Sequence, residues 1–146
     1  MTKNISREII VNYTPDEMYN LVSDFPQYKN FLPWCANSRV LSSGTNYIVG
    51  RIDISYMIVK IHYTTKNTSY NKDKIEMQLV DGPFKNMHGY WEFIPHLDSG
   101  CKLRFKLVYQ FENFIVEKVI GKVFNMVISS IIDSFMLEAA KRYGKR

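Results

Sequence analysis

Cysteine and histidine are scarce in this chain, and their scarcity removes several kinds of chemistry at once. The two cysteines, Cys35 and Cys101, form no disulfide framework and no metal-ligand spacing, so they read as small buried hydrophobes in a reducing compartment. The three histidines, His62, His88 and His96, show no H-x-E, H-E-x-x-H or C-x-x-C context, and no metal centre is expected. His88 falls in the wet phase of its strand and His96 in a turn, which leaves His62 as the one histidine that could face a pocket. No G-x-S-x-G, P-loop or G-x-G-x-x-G occurs, so the sequence offers neither a nucleophile elbow nor a phosphate cradle. No catalytic residue is assigned and no cofactor is required. Long apolar runs are missing too: the longest charge-free one, Val123 to Ile132, is about half of the roughly 20 residues a bilayer span needs. The amino end is polar and leads straight into a strand-like run, without the character of a signal peptide. Repeats, linkers and low-complexity tracts are absent. These exclusions leave a cytoplasmic protein whose residues 1–146 form one domain, long enough to bury a core. A net charge of +5 permits an anionic partner without demanding one.

What is present is organised around the last thirty-odd residues. On a helical wheel Val116, Ile120, Val123, Phe124, Val127, Ile128, Ile131 and Phe135 share one broad face, and Lys118, Lys122, Asn125, Ser129 and Asp133 share the other. The pattern predicts one long amphipathic helix from Asn113 to Gly144. Asn113 caps it, Glu117 lies near the positive end of its dipole, Lys141 and Arg142 occupy its last turn, and Gly144 ends it. So long an apolar face requires a broad partner.

The preceding sequence supplies a sheet. Ile5 to Tyr13 reads as a first strand. Thr14-Pro15-Asp16-Glu17 announces a helix with a capping box, and Met18, Leu21 and Val22 form its buried face. Phe25 to Cys35 holds four aromatics and two prolines, which predicts a short second helix and a fixed turn. Its aromatics either close one end of the core or form a lid over a cavity. From Asn37 onward the period is two, with turns at Ser42-Ser43-Gly44, Asn71-Lys72-Asp73 and Pro95 to Gly100. Cys101, Leu103, Phe105, Leu107, Tyr109 and Phe111 alternate with Lys102, Arg104, Lys106, Val108, Gln110 and Glu112, the signature of an antiparallel sheet with one dry face. The expected architecture is α+β: a curved antiparallel sheet of about seven strands around a long C-terminal helix, with two short helices after the first strand.

A curled sheet around a helix leaves a tapered space that either fills with side chains or opens for an apolar ligand. Three features favour an opening: Met57, Met77, Met87 and Met126 as adaptable surface, aromatics beside Gly89 in the dry phase, and Gly121 inside the final helix.

Two stretches carry a family resemblance. Gly82-Pro83-Phe84-Lys85-Asn86-Met87-His88-Gly89-Tyr90-Trp91-Glu92-Phe93, preceded by Met77 to Asp81, resembles the G-P-F-K…W-x-F segment of the coenzyme Q-binding START-domain and ribosome association toxin (RatA) family. Tyr28-x-x-Phe31-Leu32-Pro33-Trp34-Cys35 is similar to its second hallmark. The resemblance implies the helix-grip fold and no catalytic residue. One branch implies a toxin-type inhibitor of translation that binds the large (50S) ribosomal subunit and blocks its joining to the small one. It leaves open a protein antitoxin as partner. The other branch implies binding of ubiquinone or another apolar lipid in support of respiration. A start at the first strand, with no transit extension, is similar to the first branch, whereas Trp34 resembles the second.

For the quinone role, the expected lining is Met77, Trp91, Phe93, Phe105, Leu107, Phe124, Val127 and Ile131, with Phe31 and Trp34 near the mouth. For the ribosome, Lys102, Arg104 and Lys106 stand on one side of one strand, about 6.6 Å apart, near the phosphate spacing of a nucleic acid. The tail from Lys141 and Arg142 to Arg146 adds further positive charge.

Overall fold

The computed structural model describes residues 1–146. Strand β1 (Lys3–Val11) is followed by α1 (Pro15–Ser23), which begins as its sequence dictates. The Glu17 backbone N–H donates to Thr14 Oγ1 at 3.1 Å and the Thr14 N–H donates to Glu17 Oε1 at 2.9 Å, closing the capping box. A 3₁₀ turn at Phe25–Gln27 enters α2 (Tyr28–Phe31), a single turn bracketed by Pro26 and Pro33. Six strands follow in hairpin succession: β2 (Cys35–Ser43), β3 (Tyr47–Tyr56), β4 (Val59–Tyr70), β5 (Lys74–Asp81), β6 (Phe84–His96) and β7 (Gly100–Phe111).

All seven strands join one antiparallel sheet in the order β1-β7-β6-β5-β4-β3-β2. The first strand therefore pairs with the last, Val11 opposite Cys101. Along β7 every second side chain, from Cys101 to Phe111, is buried, and those between are half-buried. On β6 the dry phase carries Gly89, where any Cβ would lie 2.1 Å from the Lys106 carbonyl oxygen, so only glycine fits. Gly50 on β3 is needed for a different reason: the Phe25 ring lies where a side chain would be, which brings the α1–α2 segment down onto the sheet.

Two turns follow the sequence signals. Asn71 and Lys72 both have positive φ and Asp73 N–H donates to Tyr70 O, a type I′ hairpin turn. The β6–β7 turn places Leu97 at φ 54. A third turn was invisible in the sequence: β3 and β4 are joined through Met57 and Ile58, with Met57 at φ 56, where glycine is usual.

The single rod expected over Asn113–Gly144 is instead bent into two helices, α3 (Phe114–Ser129) and α4 (Ile131–Tyr143). At the bend the Ser130 N–H is shared between the carbonyls of Met126 and Val127, and Ser130 Oγ donates to Val127 O at 2.8 Å. That side-chain bond tightens the turn and redirects the axis. Gly121 does not interrupt α3; a methyl group there would meet the Phe111 ring at an ordinary 3.5 Å. Both outer ends are as read: Asn113 Oδ1 accepts from Val116 N–H at 2.9 Å, and Gly144 has φ 84. Ile120, Phe124, Val127 and Ile128 of α3, with Ile131, Ile132, Phe135 and Ala139 of α4, are buried beneath the sheet. The helix-grip architecture is thus realised with a bent helix.

Candidate functional site

The space beneath the sheet has two unlike halves. In one, Phe124 fills the volume, with its ring centroid 4.9 Å from Phe84 and Tyr109, 5.8 Å from Tyr63 and 5.9 Å from Phe111. In the other a cavity of about 310 Å³ remains, bounded by Ile75 and Met77 of β5, Met87 and Trp91 of β6, Phe105 and Leu107 of β7, and Ile128 and Ile131 at the helix bend. Tyr19, Val22, Phe25 and Tyr28 close it from the α1–α2 side. Its exposed members, Ser23, Gly44, Thr45 and Asn46, place the mouth between the end of α1 and the β2–β3 loop. This volume is at the lower end of the range for small-molecule sites.

Five residues expected to line a cavity meet there: Met77, Trp91, Phe105, Leu107 and Ile131. The other five stand elsewhere. Phe93 packs edge-on against Tyr19, centroids 5.6 Å apart. Phe124 belongs to the aromatic cluster. Val127 is buried in packed core, and its neighbour Ile128 lines the space instead, one step around the helix. Phe31 lies on Phe135 at 5.5 Å with the Arg142 guanidinium over its ring, and Trp34 is buried with its indole N–H unpaired. Neither is at the mouth: Phe135 of α4 holds Tyr28 and Phe31 against the core, and Trp34 is buried where the chain enters β2. Of the methionines, Met77 and Met87 line the cavity, whereas Met57 sits at the tip of a turn and Met126 on the outer face of α3.

The polar part of the lining was missed. On β4 the inward phase changes from Ile61 and Tyr63 to Thr65, Asn67 and Ser69, a change legible in the alternation itself. Tyr19 Oη donates to Ser69 Oγ and Thr65 Oγ1 to Asn67 Oδ1, each at 2.8 Å, so this wall is polar but internally satisfied. Burial pushes the phenols of Tyr28 and Tyr63 well above their ordinary values. The Cys35 and Cys101 thiols are pushed up to about 11 by burial, which keeps them protonated. No carboxylate, imidazole or amine lines the cavity, so a general acid–base pair poised near neutral pH is missing there. His62 faces solvent, not the pocket, and no three His, Cys, Asp or Glu side chains converge.

On the outer face Lys102, Arg104 and Lys106 are aligned as read, but two of the three charges are engaged. Arg104 bonds Glu8 at 2.9 Å and Glu92 at 3.1 Å, and Lys102 lies 3.8 Å from Glu8. The Arg104 hydrogen bond holds the Glu8 carboxyl below its usual range. Glu8 is delivered by the β1–β7 pairing, which no local pattern shows. Lys106 stands between Ser6 and Tyr90 in register. Beside it a concave groove gathers Tyr47, Lys66, Tyr70, His88 and Tyr90 with one carboxylate, Glu76, which Lys74 engages at 3.4 Å. Lys66 Nζ lies 4.5 Å from the Tyr47 ring centre and Lys74 Nζ 4.9 Å from that of Tyr90.

The basic tail is tied down, not free. Arg142 bridges Asp24 and Glu138, Arg146 clasps the capping carboxylate of Glu17, Tyr143 Oη donates to Glu17 O, and Tyr13 Oη donates to Gly144 O. Lys141 alone of the two expected contact residues keeps an unpaired charge.

Residues 11–136 match the model of a family described as polyketide cyclase / dehydrase and lipid transport. The chain is 35% identical over 142 residues to a protein of Escherichia coli strain K12 named ribosome association toxin RatA, covering 97% of this chain and 90% of that one. It is 23% identical to the mitochondrial coenzyme Q-binding protein COQ10 homolog B of Xenopus laevis, covering 97% of this chain and 59% of that one. Among solved structures, the Zhui aromatase/cyclase from Streptomyces sp. R1128 superposes with a TM-score of 0.85 at 13% identity, covering 97% of this chain and 96% of that one, a likeness of fold. Sequence, topology and the helix held within the sheet agree: the chain belongs to the polyketide cyclase/dehydrase and lipid transport family, and to the part of it that includes proteins named ribosome association toxin.

Proposed function

We propose that residues 1–146 act as one domain, a RatA-like, non-enzymatic inhibitor of translation that works in the cytoplasm. In this reading it binds the large ribosomal subunit and blocks its joining to the small one. The observation that carries the proposal is the near full-length identity of 35% to a protein named for ribosome association. The contact is assigned to the outer face of the sheet. Lys66 and Lys106 supply charge there without a carboxylate partner, and Tyr70, Tyr90 and His88 offer planar faces on which unpaired RNA bases stack. Lys102 and Arg104 contribute less than their number suggests, because Glu8 and Glu92 already neutralise them. Lys141 and Arg142 are secondary.

Sucrose-gradient sedimentation tests this. The protein should travel with large subunits and deplete joined ribosomes, with binding that weakens steeply with salt. Lys66→Gln with Lys106→Gln should flatten the logarithmic salt slope by about 1.5, from 0.7 to 0.9 per phosphate contact. Absence from the large-subunit fractions at low salt would overturn the proposal.

The cavity supports a second reading, carriage of an apolar ligand such as the ring and first isoprene units of a quinone. About 310 Å³ does not enclose a long polyisoprenoid tail, so the remainder would leave by the mouth at Gly44–Asn46. Mass spectrometry of an organic extract of the protein purified from its own host tests it; an extract without stoichiometric lipid sinks it.

A further inference from the structure

Helix α3 is apolar on both sides. Its inner face is buried, yet Phe114, Ile115 and Val119 on the outside are 76%, 73% and 66% exposed. Across from them the base of the β3–β4 hairpin, Lys60 to His62, forms a groove with Ile115, Val116, Val119 and Ile120. From that base the hairpin projects its two turn residues, Met57 and Ile58, which are 84% and 94% exposed. Met57 holds this position at a positive φ that a β-turn would ordinarily assign to glycine. Five large apolar side chains thus stand uncovered at one end of the molecule. It is the opposite end of β3 and β4 from the mouth at Gly44–Asn46.

The polar surroundings distinguish what covers them. Lys60, Lys118 and Lys122 flank the patch with no salt-bridge partner, while Glu117 faces the Met1 amino group at 3.6 Å. Asp81 and Glu112 line the same groove as Lys60, whereas Lys118 and Lys122 carry positive charge without a salt-bridge partner on α3 itself. Phe114, Met57 and the neighbouring Tyr56 suit a protein interface as well as a lipid layer, but protein interfaces are depleted of lysine at their centres, and the three unpaired lysines beside the patch are what favour an anionic lipid. Phe, Ile, Met and Val beside lysine is the composition of segments that lie in a lipid headgroup layer, where the apolar tips enter the acyl boundary and the ammonium groups meet anionic phosphates. A projecting hairpin tip beside a helix terminus also suits a deformable partner better than a rigid one. From this juxtaposition we infer that the Met57–Ile58 turn and the outer face of α3 form a docking site for an anionic lipid surface. The inference is independent of the ribosome reading and leaves the outer sheet face and the cavity mouth free.

Flotation with vesicles of phosphatidylglycerol mixed with phosphatidylcholine, against phosphatidylcholine alone, tests it on the full chain. Wild type should float with the mixed vesicles, less so as salt rises. Ile58→Asp with Val119→Asp should weaken binding by about a hundredfold, since each lost burial accounts for about tenfold or more. Both positions are exposed, so circular dichroism and the melting point should be unchanged. Lys118→Gln with Lys122→Gln should abolish only the preference for the anionic lipid. Failure of wild type to float, or floating that the Asp pair does not weaken, overturns the inference. So does a dimer in light scattering that the Asp pair dissociates, since the patch then belongs to a second copy. Loss of large-subunit sedimentation in the Asp pair without any vesicle binding by wild type would assign the patch to the ribosome instead.

Discussion

The two halves of the space beneath the sheet are built from the same kinds of residue and end in opposite states. Around Phe124 four aromatic rings close on a fifth, and nothing is left over. Toward the helix bend the same strands present Met77, Trp91, Phe105 and Leu107 to Ile128 and Ile131, and a cavity remains. The difference lies in what approaches from the helix side. A phenylalanine fills the space where α3 runs beneath the sheet, whereas at the bend Ile128 and Ile131 face the cavity and the next phenylalanine, Phe135, meets Trp91 only edge-on at 5.3 Å. Packing density here depends on helix direction as much as on composition.

The largest expected contrast comes from truncation. Phe124→Ala should cost about 3–5 kcal/mol in urea unfolding, because four rings lose their shared contact and cannot collapse into the gap. Leu107→Ala, beside space that already exists, should fall nearer 2 kcal/mol. Equal costs would mean that the halves do not differ in packing. The reverse substitution sharpens the point: Val127→Trp should destabilise by about 1–3 kcal/mol through overpacking, whereas Met77→Trp should cost less than that and remove any bound lipid from an organic extract.

A smaller effect probes the wall that only the open half has. Thr14→Ala removes the cap of α1, whose Tyr19 and Val22 border the cavity, and should cost about 1 kcal/mol. Amide exchange should then quicken in α1 while the Phe124 half is unaffected. Glu17 gives the same wall a pH dependence. The Arg146 guanidinium, with the Thr14 N–H, holds its carboxyl below the usual range. A depressed acid contributes stability above the unfolded-state value near 4.3, and that contribution is lost as pH falls through the folded value. Amide exchange in α1 should therefore rise below about pH 4 before the β6–β7 core opens. In Glu17→Gln that acid-side change should vanish. The smallest expected signal is none at all: with both thiols pushed up to about 11, neither Cys35 nor Cys101 should react with a disulfide reagent at pH 8 until the protein unfolds. Labelling of Cys35 alone would show that the α2–β2 junction opens on its own.

Much of the architecture was legible because its signals are local. Alternation along β7, the Thr14 box, the Asn113 cap and Gly144 each involve residues within one turn or one strand. What stayed hidden depends on residues brought together from afar or on a single rotamer. The helix bend hangs on where one serine hydroxyl points. The Met57 turn lacks every residue type that announces a turn. The neutralisation of Arg104 requires Glu8, ninety-odd positions away. Phe124 and Val127 left the expected lining because helix phase near a bend cannot be extended from one side to the other, and Phe31, Trp34 and Phe93 left it because α1 and α4, distant in the chain, pack against their surroundings. The polar wall at Thr65, Asn67 and Ser69 belongs to a different class, since the alternation of β4 already displayed it.

The pairing of β1 with β7 also sets an order of events during synthesis. Lys3–Val11 lies at the edge of the sheet, and its only strand partners are residues 101–109. The first strand made is therefore the last to be hydrogen-bonded, and Ile5, Ile9 and Ile10 must wait through the appearance of five hairpins before they have a place. A contact so distant in the chain slows folding and keeps an apolar edge available to the wrong partner meanwhile. Chains ending before residue 101 should accumulate as aggregates even when β2 to β6 have paired, and a circular permutant that joins Arg146 to Met1 and opens the chain at Gly44–Asn46, so that β1 follows β7 with only the C-terminal helices between, should shorten the delay.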